Sequence, residues 1–143
     1  MTPNYVPGVL NAIGSGLPLL LASFLLTVML LAAGVRIYAA VTPMHEWTLV
    51  RQGNTAAAIV LAGTVLALAI PLTALLATSF ALLDILVWGI VALLIQLLLL
   101  RLLLFLLRDL GAMIERGNVA AALVLAASQI AVSLLNAAAM VPY

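Results

Sequence analysis

The sequence predicts an all-α membrane protein whose four transmembrane helices form two tandem helical hairpins of the same orientation. Three observations lead there. Of 143 residues, 68% are hydrophobic and only 6% charged, and the mean hydropathy of +1.40 suits lipid as the solvent far better than water. Each apolar run is long enough to cross a hydrocarbon layer of ~30 Å, which takes about 20 helical residues. The third observation is an internal echo: Gly53-Asn54-Thr55-Ala56-Ala57-Ala58 returns 64 positions later as Gly117-Asn118-Val119-Ala120-Ala121-Ala122.

Residues 1–16 carry no charge and are rich in Pro, Gly and Asn. They lack the positive start of a secretory signal peptide and read as a retained extracytoplasmic tail. The first hairpin takes residues 17–78. Its first helix runs over the apolar stretch Leu17 to Val41, with Pro18 in the first turn, where a missing N–H costs nothing. Thr42-Pro43 breaks that run. With Thr42 as N-cap, Pro43 at the first helical position and Glu46 in the first turn, a short interfacial helix is expected, presenting Met44, Trp47 and Val50 to the membrane surface.

From Asn54 to Leu107 there is one charge, Asp84, and a single helix that long would extend roughly 80 Å. The chain therefore turns back once. Thr78-Ser79 followed by Asp84 is the least apolar point, which puts the second helix over Asn54 to Thr78 and the third over Leu83 to Leu107. The second hairpin takes residues 79–143: after the third helix, Arg108 to Gly117 is a polar segment, and Asn118 to Met140 is the fourth helix, before Pro142-Tyr143.

All five cations are arginines. Arg51, Arg108 and Arg116 fall in the first and third connections, and Arg36 and Arg101 in the adjoining helix ends. The positive-inside rule then places both motif loops in the cytoplasm and both termini outside. Tyr38 and Trp47 fall at the inner boundary and Tyr5, Trp88 and Tyr143 at the outer one, as amphipathic rings should.

Two crossings per copy keep the orientation unchanged, so the echo predicts a parallel duplication, not an inverted repeat. Gly53 and Gly117 allow the chain to turn, and Asn54 and Asn118 cap the orphan N–H groups of the helices that follow. The functional alternative for the motif is a paired polar site at the cytoplasmic mouth. Ala58 and Ala62 recur as Ala122 and Ala126, and Gly63 with Ala67 has the spacing of Ala127 with Ala131. Small residues one turn apart let backbones approach closely, which predicts that the second and fourth helices pack together. The Leu-rich first and third helices are then left to lipid or neighbouring copies.

Polar residues inside the spans are the candidates for function. Gln96 and Gln129 lie midway along the third and fourth helices, where the first repeat has Ala32 and Val65. They either bond to each other in a dry core or line a pathway with Arg101 and Asn136. Arg101 lies two turns inside the inner boundary and has to snorkel, pair or face water. Arg36 reads as an interfacial anchor that pairs with Glu46. Pro71, which has no counterpart in the second repeat, frees a carbonyl near Ala67 and bends its helix.

Several classes are set aside. A net charge of +1 provides no basic face for nucleic acid. Without cysteine there is no disulfide or thiol chemistry, and the one histidine, His45, has no acidic pair beside it to hold a metal. Asp84 and His45 fall on opposite membrane faces, so they make no acid–base couple. No catalytic residue, cofactor or metal is expected, and the chain does not read as an enzyme.

The pattern Glu/Arg-x-Gly-Asn-x-Ala-x-Ala at the start of an even-numbered helix, twice in a chain of four, resembles the YjfL-like bacterial inner-membrane family, a domain of unknown function. The resemblance spans nearly the whole chain. It is closest at Gly53-Asn54, Gly117-Asn118 and Glu115-Arg116, and the first copy departs from it with Arg51-Gln52 and with Glu46 further back. It implies the bacterial inner membrane and four crossings, and brings no activity. The expected role is an oligomeric structural or accessory subunit whose partners are the bilayer and other copies or a larger membrane assembly. The alternative is a small oligomeric pore or transporter.

Overall fold

The computed structural model describes residues 5–79 and 81–141. The expectations for Pro142, Tyr143 and the Tyr5 side chain lie outside what is described. Six helices follow in order: α1 Tyr5–Val41, α2 Glu46–Arg51, α3 Thr55–Thr78, α4 Leu82–Leu106, α5 Arg108–Glu115 and α6 Val119–Met140, with no strand among the described residues. Four of them, α1, α3, α4 and α6, are long and apolar enough to cross a membrane.

The bounds of α3, α4 and α6 match the sequence reading to within one residue. That of α1 does not: it starts at Tyr5, twelve residues before the expected Leu17, and runs on through Pro18. Pro18 removes one backbone donor, the one that would serve the Gly14 carbonyl, and the helix continues through it. At about 55 Å, α1 is longer than the hydrocarbon layer is thick, and Val6 to Leu21 are all exposed.

Two further corrections concern the connections. Thr42 is not the N-cap of α2, which starts at Glu46 after His45. Its hydroxyl instead donates to the Tyr38 carbonyl at 2.8 Å and closes α1. Met44 is buried, not laid on the surface, while Trp47 is exposed as expected. The segment expected only to be polar, Arg108 to Gly117, contains α5, which buries Ile114 and exposes Arg108 and Asp109.

The bundle is organised around α3, which packs against α1, α4 and α6. Contacts fix the helix directions. Gly34 lies against Leu93 and Gly89 against Leu30, so numbers rise together along α1 and α4. The same holds for α3 and α6: Gly63 faces Ala126, and Thr64 bonds to Gln129 and Ala67 to Ser133. One apolar cluster gathers Leu30, Tyr38, Leu68, Leu72, Leu93 and Leu100 from α1, α3 and α4. A second joins Ala56, Val60, Ile114, Ala121, Ala122 and Leu125 from α3, α5 and α6.

The α3–α6 contact is the most extensive between any two helices, but the small residues that make it differ from expectation on one side. Ala122 and Ala126 are buried, whereas Ala58 is half-buried and Ala62 exposed. On α3 the close approach is made by Gly63, where an added Cβ would stand 2.6 Å from the Ala126 Cβ and 3.0 Å from its Cα. Ala67 is buried beside it, while Ala127 and Ala131 on α6 are exposed. The reason is a rotation. Buried Ala56, Ala57, Val60, Leu61 and Thr64 of α3 match buried Ala121, Ala122, Leu125, Ala126 and Gln129 of α6 at a spacing of 65, one more than the 64 of the corners. One residue is about 100° of turn, because α3 has to face three neighbours at once.

Candidate functional site

The Gly-Asn pair does two jobs at each corner. Gly53 and Gly117 adopt φ of 85° and 86°, a left-handed conformation that a Cβ disfavours. This lets the next two N–H groups fold back on the helix just ended: Gly53 N–H bonds to Val50 O and Asn54 N–H to Leu49 O, as Gly117 N–H does to Ile114 O and Asn118 N–H to Met113 O. That is a Schellman closure of α2 and α5. The asparagine then opens the following helix, its Oδ1 accepting from Ala57 N at 3.0 Å and, in the second copy, from Ala121 N at 3.0 Å. Both N-caps are as expected. Asn54 goes further: its Nδ2 donates to Ile114 O and Glu115 O, each at 3.1 Å, two carbonyls at the end of α5, the first of which also accepts from Gly117 N–H.

The four polar candidates do not form one group. Gln96, Gln129 and Asn136 lie in the bundle interior and Arg101 is exposed. Gln96 and Gln129 are both fully buried, yet no hydrogen bond joins them. Gln129 Oε1 faces Thr64 Oγ1 of α3 at 3.2 Å. Gln96 Oε1 accepts from Asn136 Nδ2 of α6 at 3.2 Å, and the same amide also donates to Ala92 O at 3.2 Å. Each glutamine leaves its Nε2 buried without a hydrogen-bond partner.

Pro71 removes the backbone donor that would have served the Ala67 carbonyl four residues earlier. The buried Ser133 hydroxyl of α6 donates to that same oxygen. A polar side chain on one helix thus repairs the defect in its neighbour, as freed backbone groups in membrane helices require.

At the arginine-bearing end, two features lie close together. Glu46, 4% exposed, accepts from the Tyr38 hydroxyl at 2.8 Å. Burial pushes its carboxyl up to about 7, against the opposing pull of the Tyr38 hydrogen bond. Arg36, its expected partner, points out of the bundle. Beside this pair, a cavity of about 250 Å³ is lined by Tyr38 and Val41 of α1, by Leu97, Arg101 and Phe105 of α4, and by Arg108. Arg101 Nη1 donates to Val41 O at 2.8 Å. Among the described residues no group of three His, Asp or Glu side chains is placed to hold a metal.

Sequence reasoning missed Glu46, Thr64 and Ser133 as interior polar groups. For Ser133 a signal existed: it sits one turn beyond Gln129 on the face of α6 that also carries Asn136, opposite the carbonyl that Pro71 frees.

Residues 12–140 match the family described as a Domain of Unknown Function, DUF350. The UPF0719 inner membrane protein YjfL of Escherichia coli strain K12 is 33% identical over 119 residues, covering 83% of this chain and 90% of that protein. The protein of the same name from Escherichia coli O157:H7 matches to the same extent. No solved structure matches the chain.

Proposed function

The chain belongs to the DUF350 family, and from that premise we propose that it is an oligomeric structural or accessory subunit of the bacterial inner membrane, without catalysis of its own. The location is taken from the name of its relative, an inner membrane protein. One observation carries the reading: five buried polar side chains of the spans, Thr64, Gln96, Gln129, Ser133 and Asn136, are used between helices. Thr64 with Gln129, Gln96 with Asn136, and Ser133 with the Ala67 carbonyl each bridge two helices, the use that interhelical hydrogen bonds have in membrane bundles.

We read the chain further as two tandem hairpins, α1 with α3 and α4 with α6, with both corners in the cytoplasm and both termini outside. Support comes from the matched Gly and Asn conformations at the corners and from the common direction of α1 with α4 and of α3 with α6. The arginine distribution supplies the orientation.

The test is the mass of the detergent-solubilised protein, with identification of what copurifies. A defined multiple of the 14.9 kDa chain, or a constant partner, supports the proposal, and a lone monomer overturns it. The second reading, a small pore or carrier, is favoured by the unpartnered Nε2 atoms of Gln96 and Gln129, which a file of water would satisfy. Cysteine replacements at Gln96, Gln129 and Asn136 separate the two. Reaction with a membrane-impermeant thiol reagent means a pathway, and inert sites mean a dry core.

A further inference from the structure

Independently of that reading, we propose that the cavity between the end of α1 and the last turns of α4 binds the phosphate headgroup of an anionic phospholipid. Its charged lining is Arg101 and Arg108, with no carboxylate, so the site selects for an anion. Arg101 is already oriented by its bond to the Val41 carbonyl, which uses one of the five donors of a guanidinium and leaves the others free.

Depth and walls decide what kind of anion. Arg101 stands five residues before the end of α4 at Leu106, about 8 Å inside it, while Arg108 lies just beyond. The pair brackets the level at which headgroup gives way to acyl chain. Between them the wall is apolar, with Leu104 in the lining and Phe105 at 68% exposure on the rim. A soluble anion has no use for such walls, whereas an amphiphile fits both parts of the site. The volume of about 250 Å³ falls below the ~300–1,000 Å³ of cofactor and drug pockets and suits a headgroup with its glycerol. Basic pockets between transmembrane helices bind anionic headgroups in this manner.

Native mass spectrometry of protein extracted in mild detergent from vesicles of phosphatidylcholine with phosphatidylglycerol tests the site. One phosphatidylglycerol per chain is expected to stay bound. Arg101→Gln or Arg108→Gln should weaken retention about fivefold each, and the double variant about 25-fold. Arg51→Gln and Arg116→Gln, exposed arginines outside the cavity, should retain the lipid. Equal loss in these controls would reduce the effect to general surface charge and overturn the proposal. Should the double variant not fold, Leu104→Trp keeps both charges and fills the cavity, and undiminished retention there overturns it as well. Inorganic phosphate, added to lipid-free protein at millimolar concentration, should leave Tm unchanged. A rise equal to that given by phosphatidylglycerol would assign the site to a soluble anion and contradict a lipid site.

Discussion

α3 and α6 start from the same corner and end up in different surroundings. Gly53-Asn54 and Gly117-Asn118 agree in φ to within a degree and cap with the same geometry. Yet α3 runs through the centre of the bundle, with neighbours on several sides, while α6 buries one face and leaves Leu123, Val124, Leu134 and Leu135 exposed. Local code sets the corner, and tertiary packing sets how much rests on it. Asn54 is tied to the carbonyls of α5. Asn118, among the described residues, makes only its cap.

The largest expected effect probes the helices beyond the corners. Gly63→Leu pushes a side chain against the Cα of Ala126, a backbone atom that cannot yield without parting the helices. It should destabilise by about 3 kcal/mol. Ala127→Leu, the matching position on α6, is exposed and should be near neutral. Reversible unfolding in mixed micelles measures both, and equal losses would mean that the two helices are equivalent after all.

The acids of the two connections should differ almost as much. The Glu46 carboxyl is raised from 4.5 to about 7. Between those values the folded protein holds a proton that the unfolded chain has released, so stability falls as pH rises through this window and levels off above it. The full drop amounts to about 3 kcal/mol. Glu46→Gln should abolish that pH dependence, whereas Glu115→Gln, at an exposed site in the second connection, should leave it in place. Unfolding followed from pH 4 to pH 8 separates them.

Asn54→Ala should cost about 2 kcal/mol, the cap and its ties to α5 together, against about 1 kcal/mol for Asn118→Ala. Hydrogen exchange at Ala57 and Ala121 reports each cap separately. If both amides lose protection equally and α5 stays as protected as before, the tie from Asn54 carries no weight. The smallest effect is expected at the proline of α3: Ser133→Ala leaves the Ala67 carbonyl bare for about 1 kcal/mol. In a Pro71→Ala background, where the backbone N–H returns, the same change should cost less.

The sequence revealed this protein unevenly, and the unevenness has a physical pattern. Depth along a membrane helix follows from counting residues at 1.5 Å each, which is why the bounds of three spans were legible. Azimuth does not, since it depends on which neighbours a helix has. The two glutamines therefore bond not to each other but to Asn136 and to Thr64, and Ala62 of the repeated alanine pair is left facing outward. Caps were legible because Gly and Asn act on bonds within a few residues of themselves. The burial of Glu46 was not, because it depends on where Tyr38, eight residues earlier on another helix, places its hydroxyl. The sequence alone places that tyrosine at the interface and pairs the acid with Arg36. The early start of α1 escaped because Pro, Gly and Asn are read as local breakers, whereas the helix continues through Pro18 at the cost of one backbone bond.

The central claim is that the chain crosses the membrane four times with both Gly-Asn corners on one face. Cysteine-free by nature, it can carry a single cysteine at Gln52, at Glu115 or at Ser79 in the central turn. An impermeant thiol reagent applied to one side of oriented membranes should reach Gln52→Cys and Glu115→Cys together and Ser79→Cys only from the other side. Labelling of the two corner positions from opposite sides would contradict it.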